Sequence, residues 1–415
     1  MSRFGRAPAG RASEPRSATG ADRGRRPRHA CFAVCTPGLE TLLAGELRGL
    51  GIRPGRSDRG GVAFEASTRQ LYAANLFLRT ATRVLLRIAS FDAPSFAVLE
   101  REAREVPWGR WIAPDTRVVF RVAATRSRLY HTGAIAERLA RVVPGVVEPP
   151  EGGEEEERND GLPSDRQPIL VRVDRDRTTI SVDASGEPLY RRGWRQATAK
   201  APLRETLAAA MVLATGWDGS TPLVDPLCGS GTVAIEAALL ARGIAPGRGR
   251  PFALQRWPSF EPGTWASVQG QAAAEARPDR PLAILATDRD PGAVRAALGN
   301  AERAGVSDAL EVRRRPLSEL APAGPAVRRP VAGGSPPAAG WLVANPPYGV
   351  RVQGGGDLRE LYATLGRVVR ERLRGWSVGL LVADAGLAGH AGLRLAMRFR
   401  TSNGGIPVRF LVGGG

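Results

Sequence analysis

Leu223-Val224-Asp225-Pro226-Leu227-Cys228-Gly229-Ser230-Gly231-Thr232 sets the class of the C-terminal half of the chain. An apolar strand ends on Asp225, a glycine-rich turn follows, and a helix pattern runs from Thr232 to about Arg242 and stops at Gly243. Glycines let a ligand approach the backbone, and a helix N-terminus offers unpaired N–H donors. Gly229, Gly231 and Ala234 fit the G-x-G-x-x-G/A dinucleotide pattern. Two features turn the reading away from NAD. Asp225, directly before the glycines, would repel a pyrophosphate but suits a ligand that carries an ammonium group. The dinucleotide fold also places a ribose-binding acid about 20 residues further on, and that stretch is Arg248-Gly249-Arg250. The next strand ends later, at Ala286-Thr287-Asp288, where Asp288 can take both hydroxyls of a ribose; Asp290, before Pro291, is the better helix cap. An amino acid plus a ribose without a pyrophosphate describes S-adenosylmethionine.

Outward from this turn, strand patterns at 222–225, 282–287, 309–313, 341–344 and 377–383 alternate with helix patterns. That alternation predicts a parallel sheet with crossover helices. A final pair, 395–401 and 406–412, is split by Asn403-Gly404-Gly405, a hairpin signal that makes the last strand antiparallel. Residues 201–415 therefore read as an α/β, Rossmann-like domain. Upstream, short strands and helices form two small α+β modules, 30–90 and 91–186, with a linker at 187–200. The linker carries Arg191-Arg192-Gly193-Trp194-Arg195, which reads as basic surface or a phosphate contact. Residues 144–168, with the acidic run Glu154 to Glu157, read as a solvated loop insertion, and residues 1–29 as a disordered Arg-rich tail.

Trp341-Leu342-Val343-Ala344 leads into Asn345-Pro346-Pro347-Tyr348. Proline fixes its own φ and keeps the preceding residue out of the helical region. The result is a stiff corner that can hold one side-chain oxygen and one or two carbonyls beside an aromatic ring. Such a corner suits a planar group bearing an amino function: the oxygens accept from the NH2 and the ring stacks on the flat face. A plain proline-stiffened turn is the alternative.

The chain has 415 residues and a net charge of +18, with Lys200 the sole lysine. Coding bias accounts for arginine over lysine but not for the surplus of basic over acidic groups, which points to a nucleic-acid partner. Cys31, Cys35 and Cys228, with His29, His131 and His390, make no zinc framework and suit a reducing cytoplasm. No apolar run approaches a membrane span, and the Arg-rich start lacks the apolar core of a secretory signal. No metal and no membrane partner are expected.

Asp225 to Thr232, Asp288, Asn300 and Asn345 to Tyr348, in this order, resemble the class I methyltransferases that modify an exocyclic amino nitrogen. The strings Pro202-Leu203-Arg204-Glu205-Thr206-Leu207-Ala208-Ala209-Ala210, Asp225 to Thr232, and Asn345 to Arg351 resemble the THUMP-containing RNA guanine-N2 methyltransferases. Among these the match is nearest the bacterial large-subunit ribosomal RNA enzymes without a fused second methyltransferase. The resemblance implies a ferredoxin-like module at 30–90, a THUMP RNA-binding domain at 91–186 and a catalytic domain at 201–415. It implies that Asp225, Cys228, Gly229, Ser230, Gly231 and Thr232 hold the methionine part of S-adenosylmethionine and Asp288 its ribose. It also implies that Asn345 and the carbonyl of Pro346 accept from a guanine amino group, with Pro347 stiffening the corner and Tyr348 stacked on the base. One departure is visible: where such enzymes carry an acid for the cofactor's adenine, this chain has Pro316, with Glu319 or a backbone carbonyl as substitutes. The implied partner is RNA, as 23S ribosomal RNA or a ribosome-assembly intermediate. A transfer-RNA guanine-N2 enzyme, a DNA adenine-N6 methyltransferase and a non-catalytic RNA-binding or assembly protein remain the alternatives.

Overall fold

The computed structural model describes residues 28–147, 166–196, 203–320, 339–348 and 358–414. The tail before residue 28, most of the acidic insertion, the end of the linker and the Gly349-Val350-Arg351 part of the corner string lie outside the described residues.

The N-terminal half is built on β1 (His29–Cys35), α1 (Glu40–Gly49), β2 (Pro54–Asp58), β3 (Gly61–Ala66), α2 (Thr68–Phe77) and β4 (Ala81–Asp92). It continues with α3 (Phe96–Arg104), β5 (Arg117–Thr125), α4 (Thr132–Ala140), β6 (Val146–Val147), β7 (Arg166–Asp174) and β8 (Arg177–Asp183). Ser67 opens α2 with a full capping box to Gln70, and Ser95 caps α3 through the N–H of Val98. The two sequence modules share a single eight-stranded sheet, in the order β2-β3-β1-β4-β8-β7-β5-β6. The join is β4, twelve residues long, which pairs with β1 on one side and antiparallel with β8 on the other. The boundary drawn at residue 90 falls inside this strand. Local periodicity finds each strand, but β4 and β8 pair across about 90 residues, which periodicity does not encode.

The C-terminal half follows with α5 (Glu205–Thr215), β9 (Leu223–Asp225), α6 (Thr232–Ala241), α7 (Pro262–Glu275), β10 (Ile284–Asp288), α8 (Pro291–Arg303) and β11 (Leu310–Arg314). It ends with β12 (Trp341–Ala344), α9 (Leu358–Arg372), β13 (Ser377–Val382), α10 (Ala385–Gly389), β14 (Arg394–Asn403) and β15 (Ile406–Gly414). These strands form a seven-stranded sheet in the order β11-β10-β9-β12-β13-β15-β14. β9 to β13 run parallel, and β15 runs antiparallel to both β13 and β14, as the hairpin signal required. From β9 the chain moves outward to β10 and β11, then returns to β12 on the other side. That reversal makes the C-terminal ends of β9 and β12 the switch point where α/β sheets bind ligands.

The two halves are locked together through buried charge. The Arg79 guanidinium, at the end of α2, donates to the carbonyls of Leu239 (3.3 Å) and Ile244 (2.6 Å) at the C-terminal end of α6. It also lies 3.8 Å from Glu236, which is fully buried on α6 and pairs with Arg192 at 3.3 Å. Arg192 donates in turn to the carbonyl of Arg79 at 2.7 Å. Further along, Gly247 N–H bonds the Leu76 carbonyl and Trp257 Nε1 bonds Gln167. The sequence presents the linker arginines as surface, and the fold corrects this. Arg191 is exposed, but Arg192 is buried as this tie and Arg195 is nearly so. Arg195 pairs with Glu205 at 3.1 Å and donates to the Thr232 hydroxyl at 2.6 Å, so the linker reaches under the first residue of α6.

Candidate active site

Three adjacent parallel strands, β10, β9 and β12, bring the sequence candidates to one edge of the sheet. Register pairs Ala286 with Asp225 and Leu342 with Val224. Asp225 therefore ends the middle strand, Asp288 stands two residues beyond that level on one side, and Asn345 follows the end of β12 on the other. The outer two strands are two strand spacings apart, about 10 Å.

The turn from Asp225 to Thr232 is fixed by backbone bonds on its inner side. Cys228 N–H donates to the Thr287 carbonyl at 3.0 Å, and Gly231 N–H to the Cys228 carbonyl at 2.8 Å. Asn300, buried on α8, donates its amide to the Ser230 carbonyl at 3.0 Å. Gly229 and Gly231 both have positive φ, +51° and +84°, a region open to glycine and strained for other residues. They differ in what lies above them. A Cβ at Gly231 would sit 3.1 Å from the Cβ of Ala297 on α8, whereas one at Gly229 would meet nothing within 4 Å. Gly231 is thus glycine for packing, and Gly229 leaves bare backbone facing open space in which a ligand can lie. Thr232 is buried and serves Arg195, and the Cys228 thiol is buried in the core, where burial raises its pKa.

Asp225 is 2% exposed, and among the described residues it accepts a single 3.3 Å bond, from Leu227 N–H. Burial, against the small help of that bond and with Asp288 nearby, pushes its carboxyl up to about 8. Asp288 is half-buried and accepts from Gly229 N–H at 2.9 Å and from Asp290 N–H at 3.0 Å. It therefore ties the glycine turn to β10, and among the described residues each oxygen keeps a free lone pair. Asp290 caps α8 through Gly292 N–H at 2.8 Å, in keeping with its position before Pro291. Pro316, which the resemblance sets where an acid is expected, opens a short 3-10 turn; its carbonyl accepts from Glu319 N–H, and Glu319 is exposed.

At the corner, Pro346 is buried, Pro347 exposed and Tyr348 half-buried. The Oδ1 of Asn345 is buried and has no hydrogen-bond partner among the described residues. A buried acceptor left unpaired costs about 1–3 kcal/mol, so it is a place where a donor from outside the chain would be welcomed. The hydroxyl of Tyr348 is held by the side-chain amide of Asn403, from the C-terminal hairpin. Sequence reading places Asn403 only as a turn residue. Among the described residues no cluster of histidine, cysteine and carboxylates could hold a metal.

The seven-stranded order, the antiparallel last strand and the acids at the ends of β9 and β10 define a class I methyltransferase domain. Comparison with known proteins refines this. Residues 192–409 match the RMKL-like methyltransferase domain and residues 30–85 the RlmL ferredoxin-like domain. The chain belongs to this methyltransferase family. It is 31% identical to the putative RNA methyltransferase slr0064 of Synechocystis, over 92% of this chain and 95% of that one. It is 36% identical to the ribosomal RNA large subunit methyltransferase K/L of Syntrophotalea carbinolica, over 92% of this chain but 53% of that protein, so it spans about half the length of that relative. Two solved structures match over 94% of the chain. One is a predicted N6-adenine-specific DNA methylase from Listeria monocytogenes, with TM-score 0.78, 28% identity and 97% of that chain covered. The other is SMU.472, a putative methyltransferase complexed with SAH, with TM-score 0.77, 27% identity and 99% covered.

Proposed function

We propose that the protein transfers a methyl group from S-adenosylmethionine to the exocyclic N2 amino group of a guanosine in RNA, within large-subunit ribosomal RNA. The observation that carries the reading is the buried Oδ1 of Asn345, which has no hydrogen-bond partner among the described residues and lies next to the switch point of the sheet. The strand-end residues fit the cofactor: open space over Gly229, a buried acid at Asp225 for an ammonium and lone pairs on Asp288 for a ribose. When bound, the cofactor supplies an electrophilic methyl group on a sulfonium. The protein's part is position and electrostatics. A guanine amino group is a poor nucleophile because its lone pair is delocalised into the ring. Acceptors at Asn345 Oδ1 and the Pro346 carbonyl draw its hydrogens and help to localise that lone pair. Tyr348 offers a ring for stacking, worth about 1–3 kcal/mol per base. The proton leaves after transfer, to water, so no strong base is needed.

RNA as the acceptor is supported by the charge of +18 and by the N-terminal half. Its loop from Thr125 to His131 is laced to the β7–β8 turn: Arg128 N–H donates to Asp176 at 2.7 Å and Arg175 N–H to the Thr125 carbonyl at 3.2 Å. On this rigid loop Tyr130 is 67% exposed, its ring 4.1 Å from that of His131. An exposed aromatic among arginines suits stacking on an unpaired base. The likeness to the Listeria protein, a predicted N6-adenine-specific DNA methylase, favours a second reading, transfer to adenine N6 in DNA, because the corner accepts any planar amino group. Transfer of labelled methyl to unmodified ribosomal RNA, with none to duplex DNA, supports the first reading; the reverse pattern overturns it.

Two outcomes concern the cofactor. Asp288→Ala removes the partner of Gly229 N–H along with the ribose contact. Its expected effect is a loss of S-adenosylmethionine affinity of about 10–100-fold, read by calorimetry; unchanged affinity contradicts the role. For Asp225 the sign follows from its raised pKa. In the free protein a carboxyl at about 8 is mostly protonated at pH 7, and an ammonium favours its ionised form. Affinity therefore rises between pH 6 and 8, and binding at pH 7 releases a proton. Calorimetry in buffers of different ionisation enthalpy should detect that proton, and Asp225→Asn should abolish it. The control matters because burial also pushes Glu205 up to about 7. In the free protein the same raised pKa contributes stability that is full below about pH 4 and lost as pH rises through about 8.

A further inference from the structure

We propose that Asn403 is a positioning residue for the ring of Tyr348, so that the tip of the C-terminal hairpin forms one wall of the base pocket. The inference rests on the reading that Tyr348 stacks on the target base. Asn403 pairs with Ile406 across a two-residue turn, and Gly404 and Gly405 take φ of +55° and +77°. Both angles are positive, as in the tight turns that match the twist of a hairpin. In such a turn an Asn side chain usually bonds its own loop. Here its Nδ2 donates to the hydroxyl of Tyr348, 55 residues earlier in the chain, and the residue is only 8% exposed.

The hairpin is itself held firmly. Phe399 on β14 stacks on Phe410 of β15, with centroids 5.2 Å apart. From the other half of the molecule, Gly38 packs so closely on β14 that a Cβ would sit 1.9 Å from the carbonyl oxygen of Arg400. Gly38 also has φ of +98°, so both space and backbone demand glycine. Contacts thus run from Gly38 in the ferredoxin-like module to Arg400, along β14 to Asn403, and from Asn403 to the hydroxyl of Tyr348, three residues after Asn345. A ring anchored at its hydroxyl keeps one plane before the base arrives, which lowers the ordering cost of stacking.

The test uses the full chain with an unmodified large-subunit ribosomal RNA transcript, and compares Asn403→Ala, Tyr348→Phe and the double variant. Each single variant should lower kcat by about fivefold, the worth of one ordinary hydrogen bond, with S-adenosylmethionine affinity unchanged. The double variant should be no worse than either alone, because the two changes remove the same bond. Asn403→Asp, which can accept from the tyrosine hydroxyl, should recover most of the rate. Multiplied losses in the double variant, no recovery with aspartate, or parallel loss of Tm and cofactor binding would overturn the proposal. Tyr348→Ala checks the underlying reading separately: if kcat and the KM for RNA are unchanged in it, the stacking role itself fails.

Discussion

Asn345→Ala is expected to lower turnover on RNA by about 10²–10³-fold, the range found when one preorganised polar group facing a reacting centre is removed. S-adenosylmethionine affinity should stay within about twofold, because the glycine turn, Asp225 and Asp288 reach the site from β9 and β10, and Asn345 from β12. The split between kcat and cofactor binding distinguishes a group that acts on the acceptor from one that only supports the fold. Alanine also deletes a buried oxygen that has no partner among the described residues. Removing an unsatisfied acceptor relieves a cost, so the variant should be no less stable than the parent. A variant that keeps its Tm but loses cofactor binding contradicts the assignment. So does one that keeps full turnover.

Glu236→Ala has the largest expected effect on stability, about 3–5 kcal/mol, because it leaves Arg79 and Arg192 as uncompensated buried cations. The carboxylate is fully buried and the two arginine side chains are 10% and 2% exposed, so water cannot take its place. Burial already lowers the Arg79 pKa, with Glu236 the main opposing influence. Glu236 lies one helical turn after Thr232, on the helix that begins at the glycine turn. Its loss should therefore also weaken S-adenosylmethionine binding, although it lies in the contact between the two halves. Urea unfolding followed by tryptophan fluorescence reads the stability, and calorimetry the affinity. Stability within about 1 kcal/mol of the parent would show that the buried cluster does not hold the halves together. Breaking an exposed pair such as Arg56–Asp58, 86% and 37% exposed, should by contrast cost little.

The site is readable in the sequence wherever a local pattern carries it. The strand ending on Asp225, the glycine turn, the cap at Asp290 and the Asn403-Gly404-Gly405 hairpin each announce themselves within a few residues, and the sheet places them as expected. Long-range partners are harder. β2, Pro-Gly-Arg-Ser-Asp, is a polar edge strand without apolar alternation, and only its pairing with β3 makes it a strand. Arg192 and Arg195 look like surface arginines because the chain around them does not show their partners. The available signal is on the other side: Glu236 is the one charge in the apolar run Thr-Val-Ala-Ile-Glu-Ala-Ala-Leu-Leu-Ala. A lone carboxylate on a buried helix needs a cation. Asn403 gives no such signal, because a turn asparagine is sufficient in itself.

The corner at Asn345 is proposed to grip the amino group of a guanine in RNA. The most direct measurement incubates the protein with unmodified large-subunit ribosomal RNA and methyl-labelled S-adenosylmethionine, then digests the RNA to nucleosides for mass spectrometry. The label is predicted in N2-methylguanosine and absent with Asn345→Ala. Label in N6-methyladenosine, or N2-methylguanosine formed equally well by the alanine variant, would contradict the account.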